Sequence, residues 1–285
     1  TSAAAERRER AGAAVNAAID WGAVRAVVWK DITAVKRSKA VVLPMLLLPA
    51  VMLLGLPIVI GILAAGSGPM NVQSLLNGLP SNLAEPIVSL PERQQAVVLV
   101  LGYLIAPLFL IIPLMVSAVL AADAFAGEKE RRTIETLLHL PISNRDLYLA
   151  KLLSAFLPAV AVSWVGFACY LVVGNASAWP VMHRLFLPTW LWTAVILWLS
   201  PAVAAFGLGI MVRVSARART SQEANQLGGT VILPLVLAIV AQTSVLLLAE
   251  IWVTLVIGAV VWSVAIALNV RGARRFARDT LATKL

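Results

Sequence analysis

Nine charged side chains fall within the stretch from Gly127 to Lys151, GEKERRTIETLLHLPISNRDLYLAK: Glu128, Lys129, Glu130, Arg131, Arg132, Glu135, Arg145, Asp146 and Lys151. The chemistry they offer is ionic recognition rather than bond making. Glu128 with Arg132, and Arg131 with Glu135, stand four apart, where opposite charges meet on a helix for about 0.2–0.5 kcal/mol each. Thr136, Leu137, Leu138 and Leu140 give that helix an apolar end, and Pro141 stops it. Ser143 then stands three before Asp146, a capping-box-like start to the next helix with Asp in place of the usual Glu or Gln. A helix charged at one end and apolar at the other suits a groove on a soluble protein.

Catalytic arrangements are harder to find. No lysine follows a glycine, so the chain has no G-x-x-x-x-G-K-[ST] loop to cradle ATP phosphates. His139 and His183 are the two histidines, and both read as polar surface groups rather than ligands. No acid pair with metal-ligand spacing lies within an apolar run, so no metal site is expected. Asp123 is the most interesting isolated carboxylate, and it reads as an interface residue beside Glu128 and the lysines. Cys169 sits alone in an apolar run as an inert thiol.

The elements that position the charged island are hydrophobic. No charged residue occurs from Gln94 to Ala122 or from Leu152 to Met182. The island cannot sit in hydrocarbon, so it lies on one side of a membrane that its flanks cross. Only 13% of residues are charged and 60% are hydrophobic, with mean hydropathy +0.89. That excludes a water-soluble fold.

Six segments are long and apolar enough to span: roughly 41–65, 95–122, 150–174, 186–212, 229–249 and 251–270. Pro44, Pro49 and Pro57 punctuate the first, which predicts a kinked or partly re-entrant helix. Only Glu250 separates the fifth from the sixth, which predicts a tight external hairpin. With these spans, 21 of the 23 Lys and Arg residues fall on one side, and only Arg93 and Arg184 on the other. The bias puts both termini in the cytoplasm of a multi-pass cell-membrane protein. It also explains the net charge of +9 without nucleic acid as a partner.

Residues 1–40 read as a cytoplasmic tail leading into an amphipathic helix over 18–37. The opening residues are charged and Ala-rich, without the apolar core of a cleaved signal. Ile19, Ala23, Ala26 and Val27 recur at helical spacing beside Trp21 and Trp29, with Arg25, Lys30, Lys36 and Arg37 interspersed. That pattern predicts a helix in the cytoplasmic interface, in contact with lipid. The external segment 66–93 is too broken by proline and glycine to span. Trp179, Trp190, Trp192 and Trp252 fall near predicted outer ends, as an aromatic belt requires.

Polar residues inside the spans are sparse: Tyr103, Ser117, Ser154, Ser163, Tyr170, Thr193, Ser200, Gln242, Thr243, Ser244 and Ser263. Most are expected to bond to backbone or to a neighbouring helix. Such a path suits an amphipathic or lipid-like cargo, or a route at a dimer interface, better than an ion channel.

The run AFAGEKERRTIETLLHLPISNRDLYLAK strongly resembles the cytoplasmic signature of ABC type-2 permeases, exporter subunits that pair with separate ATPases. A second run, SARARTSQEANQLGGTVILPL from Ser215 to Leu235, resembles the second cytoplasmic turn of sodium-extrusion-type members, and multidrug-type permeases are similar too. The resemblance implies an all-α membrane domain over 41–285 with six transmembrane helices. An N-terminal interfacial helix precedes it, and a coupling helix over 127–141, a second turn over 213–227 and a basic tail over 271–285 face the cytoplasm.

It further implies that Glu128, Lys129, Glu130, Arg131, Arg132, Thr133, Glu135, Leu137, Leu138 and Pro141 contact the ATPase. Arg217, Arg219 and Glu223 would make a second contact. The chain would hold no cofactor itself, ATP and Mg being bound by two copies of the partner ATPase, and it would pair with a second copy or a related permease. A stand-alone transporter or channel would need charged groups at mid-membrane, and an intramembrane lipid-modifying enzyme would need clustered acids at a span end.

Overall fold

The structure, a computed structural model, describes residues 19–66, 87–130, 142–232 and 251–275. Among these residues there is no strand, and the elements are helices joined by short turns. Helix α1 is Trp21–Arg37, and Ser38 alone separates it from α2 over 39–65. Helices α3 (92–109) and α4 (111–130) follow, divided by a turn at Leu110. Then come α5 (Asn144–Met182), α6 (Trp190–Arg217), α7 over 221–232, and α8 (Ile251–Arg275).

Four of these helices are long and apolar enough to cross a membrane: Val41–Ala65, Asn144–Met182, Trp190–Arg217 and Ile251–Ala273. The apolar run expected over 95–122 is helical but broken at Leu110. Most of the run 229–249, the hairpin at Glu250, the segment 67–86 and the tail from 276 lie outside the described residues.

Helix α6 is the axis of the bundle. In its most apolar stretch 78% of residues are buried, against 17% in α5 and in α8. It packs chiefly on α4 and α8, while α5 packs on α1, α2 and α4. Around Trp192, which is fully buried, the rings of Phe109, Phe167 and Tyr170 lie with centroids 5.9, 5.4 and 5.1 Å away. Trp192 therefore departs from the expected aromatic belt, whereas Trp179, Trp190 and Trp252 are exposed. Its place is set by a hydrogen bond, the indole N–H donating to the Gly102 carbonyl at 2.9 Å.

That carbonyl lies in one of four π-helical turns among the described residues: Val51–Gly55, Val98–Leu104, Val195–Leu199 and Asp123–Gly127. Three of them answer a proline. A proline ring clashes with the carbonyl four residues earlier and offers it no N–H. For Pro57, Pro107 and Pro201 that carbonyl belongs to Leu53, Tyr103 and Leu197, each inside a π turn. The widened turn relieves the clash without breaking the helix. Helix α2 thus stays continuous through its prolines rather than re-entering.

Several hydroxyls in the bundle bond to backbone or to a neighbouring helix, as expected, although those of Ser215 and Thr254 are buried without a hydrogen-bond partner among the described residues. Ser117 donates to the Leu114 carbonyl, Ser263 to that of Ala259, and Ser163 pairs with Ser200 across α5 and α6 at 2.7 Å. Asn175 of α5 bonds the carbonyls of Leu171 and Leu187 and accepts from the N–H groups of Phe186 and Leu187. It fixes the turn that follows His183, whose left-handed backbone (φ 50°) ends α5.

Helices α2 and α5 meet at Gly61, where a Cβ would lie 2.5 Å from the Ser177 carbonyl oxygen. Gly61→Ala should therefore push the helices apart and cost about 1–3 kcal/mol. Gly55→Ala, with nothing within 4 Å, should be tolerated. Thermal unfolding midpoints of the two purified variants in detergent test the contrast.

Candidate coupling site

The charged island begins where α4 leaves the bundle. After the π turn Asp123–Gly127, Glu128 lies half-buried between α5 and α1. Its carboxylate accepts a hydrogen bond from the Lys151 ammonium and lies 3.5 Å from that of Lys30. Asp31 completes the set, at 3.1 Å from both Lys30 and Lys151. The side chain of Lys151 is 3% exposed, so this charge is out of water and depends on its two carboxylates. Burial alone would lower the pKa of Lys30, but the charges of Asp31 and Glu128 outweigh it and hold that ammonium above the ordinary lysine value.

The base of α5 is fixed by a second set of contacts. The Ser143 hydroxyl accepts from the Asp146 N–H at 3.0 Å, the cap read from the sequence. Asp146 does not close the box on Ser143, however. Its carboxylate accepts from the Asp20 N–H at 3.4 Å. Asp20 in turn caps α1, accepting from the N–H groups of Gly22 and Ala23 at 3.0 and 3.1 Å. Below these polar ties, Val24 and Val27 of α1 pack on Ile142, Leu147 and Ala150. Tyr148 donates from its hydroxyl to the Asn269 carbonyl at 3.2 Å, which joins α5 to α8.

The second cytoplasmic motif meets the first. The carboxylate of Glu130 accepts from the Ser221 N–H at 3.0 Å, in the first turn of α7. Thr220 caps α7 by accepting from the Glu223 N–H at 3.0 Å, and the Glu223 carboxylate reaches back to the Arg219 N–H at 2.8 Å. Two carboxylates thus sit at the positive end of one helix. Arg217 and Arg219 are exposed.

Of the residues singled out from sequence, Glu128, Glu130, Arg217, Arg219 and Glu223 are thus brought to one end of the bundle. Arg131, Arg132, Thr133, Glu135, Leu137, Leu138 and Pro141, with His139, lie outside the described residues, as does the Lys129 side chain. Sequence spacing missed Lys30 and Lys151 as partners of Glu128, and Asp31 as a partner of both lysines, because the contacts link positions far apart in the chain. Among the described residues no group of three His, Cys, Asp or Glu could hold a metal ion.

A family model described as ABC-2 family transporter protein matches residues 25–261, most of the chain. The chain belongs to the ABC-2 transporter family. No curated protein matches it. Membership makes it a permease, a multi-pass membrane component of an ABC transporter and not itself the catalytic subunit. Members of the family generally work with an ATPase partner and often dimerise.

Lys151→Met would leave Asp31 and Glu128 without their buried partner and should cost about 3–5 kcal/mol. The double variant Lys151→Met/Glu128→Gln should recover part of that loss. Lys30→Gln, at a half-exposed site, should change stability by about 1 kcal/mol or less. Detergent thermal shifts of the four proteins provide the comparison.

Proposed function

We propose that the chain is the membrane subunit of an ABC exporter and moves its cargo with energy from ATP hydrolysed on a separate subunit. Two such ATPases, holding ATP and Mg, would serve a permease dimer of identical or related chains. Six spans with both termini in the cytoplasm fit the charge distribution, in the cell membrane. The observation that carries the reading is the meeting of the two cytoplasmic motifs, Glu130 on the first turn of α7. A partner pressing on 127–141 would act on α4, α5 and α1 through Glu128, and on α7 through Glu130. The sparse polar lining of the spans favours an amphipathic or lipid-like cargo.

Coupling is tested by the partner. Glu135→Arg sets a third positive charge beside Arg131 and Arg132, and a reversed charge at a desolvated contact costs on the order of several kcal/mol. Leu137→Asp places a carboxylate in an apolar contact. Both variants should insert normally yet copurify with much less ATPase. Wild-type recovery for both would sink the coupling role.

Topology has its own test in a Cys169→Ala background. Arg184→Cys should react with an impermeant thiol reagent on intact cells, and Arg217→Cys only after permeabilisation. Labelling of Arg217→Cys on intact cells would invert the orientation.

A further inference from the structure

The apolar face of α1 is already covered. Val24 and Val27 are 2% and 9% exposed against the base of α5, and both acids of α1 are engaged as well, Asp20 in its cap and Asp31 with Lys151. The side turned outward carries a different chemistry. Trp21 (62% exposed), Arg25 and Trp29 (71%) follow at four-residue steps, so they line up along the helix, and Lys36, seven beyond Trp29, extends the line. Arg37 and Lys39 flank its end. Arg25, Lys36, Arg37 and Lys39 are exposed and make no ion pair among the described residues. The outward stripe is therefore cationic and aromatic, with no carboxylate among the described residues to neutralise it.

Its position is limited too. Only Ser38 interrupts the helix between α1 and α2, whose apolar stretch begins at Val41. Arg37 and Val41 are four residues apart, a reach of at most about 14 Å, so the end of α1 stays within that distance of the membrane boundary.

We propose that the stripe Trp21–Arg25–Trp29–Lys36 is a binding surface for anionic lipid headgroups. The indoles sit at headgroup level, where an apolar ring with a polar N–H is most stable. The cations meet phosphate, each worth roughly fivefold in affinity for a charged membrane surface. An acidic protein surface would satisfy the cations but would give no reason for two exposed indoles on the same line. The proposal rests on α1 lying at the cytoplasmic face and is independent of the coupling role. Wild-type ATPase recovery in the Glu135 and Leu137 variants would leave it intact.

The full chain in phosphatidylcholine bilayers, with brominated lipid titrated in, provides the test. The fluorescence difference between wild type and Trp21→Phe/Trp29→Phe isolates these two indoles. Brominated phosphatidylglycerol should half-quench them at a mole fraction at least about fivefold below that of brominated phosphatidylcholine. Arg25→Gln/Lys36→Gln/Arg37→Gln should bring the two curves together. So should raising the salt to about 0.5 M with wild-type protein, which shortens screening to a few ångströms. Coincident curves in wild type, or a preference unmoved by salt, would overturn the proposal. Absence of quenching at these two indoles would do the same and would point to a protein partner covering them. If the triple variant does not fold, the wild-type salt series decides alone.

Discussion

A lysine ammonium taken out of water is tolerated only where carboxylates take over the role of its hydration shell. Lys151 meets that condition through Asp31 and Glu128, which come from helices more than a hundred and some twenty residues away in sequence, respectively. No local rearrangement can replace either one, so α1 and the end of α4 must both dock on the base of α5. The surrounding contacts repeat the constraint, with the Asp146 carboxylate on the Asp20 N–H and Val24 and Val27 beneath. The segment 131–141 therefore departs from a residue pair, Glu128 and Glu130, held by α1, α5 and α7 together.

Inside the bundle the governing requirement is that backbone carbonyls find donors where water is absent. Prolines raise the demand, and the π turns before Pro57, Pro107 and Pro201 displace carbonyls from the regular ladder. Aromatic donors meet them. Trp192 and Tyr170 bond the carbonyls of Gly102 and Leu101 in one turn, and Trp164 and Trp262 bond those of Ile196 and Trp198 in another. Four large rings are thereby fixed in place by polar atoms, and the cluster at Phe109 and Phe167 packs around the result. The apolar packing of α6 is a consequence of this hydrogen bonding as much as of its composition.

The features legible in the sequence are those decided within a few residues of chain. The described uncharged runs became helices, Ser143 capped α5, and Ser117 and Ser263 bonded their own turn. Features decided at long range were not legible. Trp192 lies among belt-like tryptophans in sequence, and only the position of the Gly102 carbonyl shows that it belongs to the core. Glu128 stands four before Arg132, which hides its engagement with Lys30 and Lys151. Glu223 and Glu130 read as outward contacts, yet both carboxylates complete the start of α7. The periodicity of α1 placed Ile19, Ala23 and Val27 on the covered side but also Ala26, which is exposed, and periodicity cannot tell whether lipid or another helix will cover such a face.

Helix α5 ties the polar base to the far side of the bundle. Its 39 residues make a rod of about 58 Å, well beyond the roughly 30 Å of hydrocarbon, so it tilts or protrudes. The two polar fixings on it, Lys151 near the start and Asn175 near the end, are 24 residues or about 36 Å apart, close to the hydrocarbon thickness. One fixes the helix to α1 and α4, the other to the turn before α6. Between them α5 bonds to its neighbours mainly through Ser163 on Ser200, Trp164 on the Ile196 carbonyl and Tyr170 on the Leu101 carbonyl. Pro158, seven residues beyond Lys151, removes one backbone bond from the rod and is where bending costs least. A displacement of the base would thus be carried along α5 as a tilt about that point. It would reach Asn175 and the turn before α6 with no need for any intervening segment to unfold.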